Sequence, residues 1–127
     1  MILIATLLFT ANPDWQLLFR DPPRGSVYMD PASVWRRGHE RAITVRFEFD
    51  RPSADGVAIL TSRIEIDCRA GSFAAASATA VDRDANELYA YEFDAGRERA
   101  IASGESSRRL VREACSFNLE DPPAPAR

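Results

Sequence analysis

ITVRFEF, residues 43–49, alternates apolar and polar side chains without a break: Ile43, Val45, Phe47 and Phe49 fall on one side, Thr44, Arg46 and Glu48 on the other. Successive side chains of a strand point to opposite faces, so the stretch predicts a strand with one face in a core and one in water. The turn-rich DRPSADG (residues 50–56) follows, and residues 57–68 resume the pattern, with Ile64, Ile66 and Cys68 set against Arg63, Glu65 and Asp67. Two such runs joined by turn residues form an antiparallel pair, and the alternation puts Cys68 on the core face.

Working outward toward the N-terminus, residues 15–19 are a short apolar strand ended by Asp21, Pro22, Pro23 and Gly25. Residues 27–30 are a second strand stopped by Pro31, and residues 32–37 bend into a third extended piece that closes at Gly38 and His39. On the other side, residues 71–81 form a small, alanine-rich strand. DRDANE (residues 82–87) turns it into residues 88–93, where Tyr89, Tyr91 and Phe93 share a face, so these two strands are expected to be a hairpin.

From Ser103 onward the period changes. Ser103 or Ser106 serves as cap, Glu105 lies in the first turn where the helix dipole favours it, and Leu110, Val111, Ala114 and Cys115 recur at helical spacing. Phe117 and Leu119 are expected to complete the packing. The fold class is therefore α+β: an antiparallel sheet of about six strands with a C-terminal helix on one face. Two cysteines allow a single pairing in an oxidising compartment, and a core-facing Cys68 with a core-facing Cys115 predicts a structural disulfide that ties the helix to the sheet.

Residues 2–9 (ILIATLLF) followed by Thr10, Ala11, Asn12 and Pro13 resemble the apolar core and end of a secretion signal. The expected organisation is a signal peptide at 1–11, one domain at 12–119 and a disordered tail at 120–127 (DPPAPAR and the preceding Glu120). No cysteine stands at the end of the signal, so a lipid anchor is not expected. The product is expected to be soluble in the periplasm or secreted.

Composition narrows the function classes. A chain of 127 residues that is 46% hydrophobic with a net charge of −3 is a folded domain, and no apolar run approaches the roughly 20 residues of a transmembrane helix. Every one of its 16 basic residues is arginine, and 19 carboxylates outweigh them, so no nucleic-acid partner is expected. The groups Arg36, Arg37, Arg41 and Arg108, Arg109, Arg112 each have glutamates nearby (Glu40; Glu105, Glu113) and read as solvated faces.

The residues offer little chemistry. His39 is the only histidine and sits in a Gly-His-Glu turn, so no metal centre and no cofactor are expected. Gly-x-Ser-x-Gly does not occur, and no catalytic residue is assigned. Asp82, Asp84 and Asn86 have the spacing that begins a calcium loop, but Glu87 stands where such a loop needs glycine and Phe93 where it needs a bidentate glutamate. A polar hairpin tip accounts for them. Tyr28, Trp35, Tyr89 and Tyr91 suit either a binding surface or a core. Three classes stay open: a non-catalytic binding module, a small enzyme using a carboxylate pair in a pocket between sheet and helix, and a cell-envelope component that pairs through an edge strand.

Taken in order, Trp15, the string YMDPASV (residues 28–34), Arg37 and Gly38 before the amphipathic strand, IEIDC (residues 64–68) and Cys115 resemble the surface-adhesin protein E-like family of exported bacterial domains. The resemblance spans residues 15–115. It implies an antiparallel sheet with a disulfide-tied C-terminal helix and a non-enzymatic exported protein, of which some relatives hold host matrix proteins. The partner it implies is a protein or cell-envelope ligand. The ligand-binding residues stay unknown, because the matching positions look like fold determinants.

Overall fold

A computed structural model describes residues 14–94 and 100–117. The chain runs β1 (Gln16–Asp21), β2 (Gly25–Met29), a 3-10 turn (Pro31–Ser33), β3 (Trp35–Arg37), β4 (Glu40–Phe49), β5 (Ile59–Asp67), β6 (Ser72–Val81), β7 (Glu87–Glu92), β8 (Ala100–Ile101) and one helix, α1 (Glu105–Ser116). All eight strands form one antiparallel sheet in the order β1-β2-β4-β5-β6-β7. The sheet has eight strands against the expected six: the extended piece expected at residues 32–37 is the three-residue strand β3, and β8, of two residues, is too short for any period to show in sequence. β3 pairs with β4 beyond the end of β2, and β8 pairs with β6 beyond the end of β7.

The alternation of residues 43–49 has its expected consequence. Ile43 and Val45 are buried and face, across the ladders, Ile64 and Ser62 of β5 and then the small residues of β6. Met29, Ile43, Val45 and Ile66 are the largest fully buried side chains, and burial of each contributes about 1.5–3 kcal/mol. Leu110, Val111 and Ala114 of α1 close this core from one side, the stripe that the helical spacing predicts. The hairpin of β6 and β7 also forms, with Ala80 opposite Tyr89 and Ala78 opposite Tyr91.

Cys68 and Cys115 are bonded, with Cα atoms 5.9 Å apart, and the helix is thereby fastened to the sheet. Arg41 adds a second tie at that end, its Nη1 donating to the Ala114 carbonyl at 3.1 Å. The family-like string at residues 28–34 is a turn. The Asp30 carboxylate accepts the Ala32 amide, the Ser33 hydroxyl donates to the Asp30 carbonyl, and Ser33 Oγ in turn accepts the Thr44 amide of β4. Arg63 seals it by donating to the Ser33 carbonyl at 2.7 Å.

The cap of α1 differs from expectation. Gly104 is the N-cap residue, and its backbone amide and carbonyl are both bonded to the Ser107 hydroxyl. Ser106 is instead drawn away to Asp21 of β1, and Ser103 contributes its carbonyl to Arg108. Leu119 and the segments expected as signal and tail lie outside the described residues, whereas Phe117 packs against the core as expected.

Candidate functional site

Between the first turns of α1 and the sheet lies a cavity of about 260 Å³. Its apolar walls are Phe19 of β1, Val27 of β2, Phe47 and Phe49 of β4, Phe73 of β6 and Leu110 of α1, and its polar margin includes Asp21, Arg24, Ser106 and Ser107. Phe19 and Phe73 come from strands four places apart in the sheet order, so the sheet curls around the helix to bring them to one space. Arg109 backs the wall, its guanidinium 4.7 Å from the Phe19 ring centroid while Nη1 donates to the Arg20 carbonyl.

One carboxylate at this margin is fixed. Asp21 Oδ2 accepts the Ser106 hydroxyl at 2.6 Å and Arg24 Nε at 2.9 Å. Those bonds, the serine first, hold the Asp21 carboxyl below its ordinary range. That is the direction opposite to the raised value a general acid needs near neutral pH. Glu48, the other carboxylate of the lining, pairs with Arg46 at 2.8 Å.

The remaining candidates separate. Asp82, Asp84 and Asn86 do meet in one turn, where Asp82 Oδ1 accepts the amides of Asp84 and Asn86 and Oδ2 the Asn86 side chain. These bonds hold Asp82 low in pKa and spend its carboxylate on the turn. Tyr89 and Tyr91 of β7 and Phe93 just beyond it form a ladder with centroids 5.3 and 6.2 Å apart, with Tyr91 57% exposed. Trp35 lies under the Arg37 guanidinium on the separate edge strand β3, and Tyr28 is on β2, so the four aromatic candidates do not make one patch.

Sequence reasoning missed one cluster, in which His39, Glu40 and Asp67 bring a ligand atom each to within 4.8 Å of one another. His39 Nε2 is 3.6 Å from Asp67 Oδ2, and Glu40 stands directly opposite Asp67 across the β4–β5 ladder. Two like charges directly opposite each other on a ladder repel. Arg41, beside it, is half-buried, and desolvation lowers its pKa, followed in effect by the charge of Arg36. The cavity was likewise illegible, since its walls come from five elements; the pairing that joins Ser106 to Asp21 has no sequence signal at all.

A curled antiparallel sheet with a disulfide-tied helix packed over an apolar cavity defines a small α+β domain. The family model for surface-adhesin protein E matches residues 15–116, nearly the whole described domain, and the chain belongs to that family. Comparison with curated proteins and with solved structures gives no match.

Proposed function

We propose that this chain is an exported, non-catalytic binding module that works in the periplasm or outside the cell, with residues 1–11 directing its export. The observation that carries the reading is the apolar cavity under α1, whose one fixed carboxylate, Asp21, is held in the ionised form by Ser106 and Arg24. Concave, mostly apolar space with a few placed polar groups is the usual form of a binding site. Membership in the surface-adhesin protein E family supports binding over catalysis. The Cys68–Cys115 bond supports a working place outside the reducing cytoplasm.

The test is recovery of the protein from fractions of its native host, with N-terminal sequencing and thiol alkylation before and after reduction. A chain in the periplasm or medium that starts near Asn12, its cysteines protected until reduced, is expected. A cytoplasmic chain that keeps residues 2–9 and two free thiols overturns the export reading.

A second reading, an envelope component that pairs through β7, is favoured by the exposure of Leu88 and Tyr91 on that strand. Light scattering separates the two, because a strict monomer at every concentration removes self-pairing.

A further inference from the structure

We propose that the cavity under α1 seats a single acyl chain whose head presents acceptor oxygens to Arg24; this names the ligand class of the binding module above and rests on that reading. The shape favours a chain over a compact ring. The lining runs from Phe49, at the end of β4, to Phe73, at the start of β6, and these lie toward opposite ends of the sheet, since Phe73 faces Ile66, which faces Arg41 at the other end of β4. An apolar cavity of about 150 Å³ admits benzene, so a space of about 260 Å³ has room for a chain of roughly eight carbons.

The head group follows from what the margin offers. Arg24 is the exposed lining residue, with 65% of its side chain open to solvent. Its Nε is committed to Asp21, while its two terminal nitrogens have no partner among the described residues. Asp21 is already compensated, accepting from both Arg24 and Ser106. The first turn of α1, which supplies Ser106 and Ser107 to the lining, has glycine as N-cap, so its amides lack a side-chain acceptor and add a partial positive charge on the same side. The two carboxylates of the lining are engaged, Asp21 by Arg24 and Ser106 and Glu48 by Arg46, which leaves the terminal nitrogens of Arg24 and the first-turn amides as donors; a carboxylate or an ester carbonyl is complementary to these, whereas an ammonium head meets the Arg24 guanidinium with like charge.

The experiment titrates the oxidised protein with octanoate, with monooctanoylglycerol and with octylammonium, by calorimetry and by amide NMR shifts. Octanoate or the glycerol ester is expected to bind at least tenfold more tightly than octylammonium and to move the amides of Val27 and Ser107. Stronger binding of octanoate identifies a free fatty acid as the source, and stronger binding of the ester identifies an esterified lipid. Arg24→Ala is expected to weaken octanoate about tenfold, the size of one lost charge-assisted bond, and to erase the preference over octylammonium. Ser107→Phe, its fold verified by circular dichroism, is expected to block all three ligands. Octylammonium binding as tightly as the acceptor-headed probes overturns the head assignment and leaves the cavity as the binding site. No amide shift with any of the three overturns the proposal and the cavity together, while the export reading is still judged by fractionation.

Discussion

Ser106, in the first turn of α1, donates its hydroxyl to Asp21 Oδ2 at 2.6 Å and so joins residues 85 apart in the chain. The helix is therefore held at both ends, by this bond at its start and by the Cys68–Cys115 bond at its finish. Because Ser106 and Arg24 lower the Asp21 pKa in the folded state, their contribution is complete above the ordinary value of 3.8 and is lost as the pH falls through the lower folded value. Ser106→Ala is expected to destabilise the protein near neutral pH, and the gap between variant and parent is expected to narrow in acid. Urea denaturation at about pH 7 and at about pH 2.5 checks this. A gap that widens in acid contradicts the assignment.

The disulfide closes 47 residues of chain, for which the loop-entropy relation gives about 4 kcal/mol. The double substitution Cys68→Ser with Cys115→Ser is expected to lower Tm by on the order of 15 °C, given about 4 °C per kcal/mol for a domain of this size. Loss of helical signal is expected before loss of the sheet, because β4 and β5 pair along nine residue positions without help from α1. Thermal melts followed separately at helix and sheet wavelengths decide it.

The parts of this fold that were legible in sequence are those with a period. Ile43 to Phe49 alternate because half of each strand faces water, and Leu110, Val111 and Ala114 recur because one side of α1 is buried, so strand, helix and disulfide all follow. β3 (Trp35–Arg37) falls within the extended piece expected at residues 32–37, whereas β8 was not legible: Ala100–Ile101 exists as a strand because β6 offers unpaired edge beyond β7, a tertiary cause. The candidate site was legible only in fragments. Nothing local distinguishes Phe73 from any strand phenylalanine, yet the curl of the sheet sets it beside Phe19 and Leu110.

Gly25 gives a sharper test of that curl. A Cβ there would collide with the Glu48 backbone carbonyl oxygen of the neighbouring strand, a group that cannot rotate away. Gly25→Ala is expected to cost about 3 kcal/mol, at the upper end of overpacking penalties, because the strand itself has to move. Chemical denaturation measures this, and a change under about 1 kcal/mol would show that β2 and β4 are further apart than described.

Ala85 is the opposite case, a residue that the turn would rather replace. It has φ of 68° in the tip joining β6 to β7, and left-handed backbone costs an ordinary side chain about 1 kcal/mol that glycine does not incur. Ala85→Gly is expected to be stabilising or neutral, by up to about 1 kcal/mol, despite the greater freedom that glycine gives the unfolded chain. A loss above that range would mean that the Asp82-centred turn depends on the alanine methyl.

Tyr91 separates a structural role for the β7 aromatics from an outward-facing one. It lies 57% exposed on a strand whose other residues are exposed or half-buried, and its ring contacts are with Tyr89 and Phe93 at a tilt of 36°. A core aromatic replaced by a small residue costs about 3–5 kcal/mol, while the cross-strand and ring contacts available here amount to about 1 kcal/mol. Tyr91→Thr, which keeps a good strand former, is therefore expected to lose no more than about 1 kcal/mol in urea denaturation, against about 2–5 kcal/mol for Ile66→Ala in the fully buried core. Equal losses at the two positions would make the ladder part of the core and remove the reason to regard β7 as a surface available for pairing.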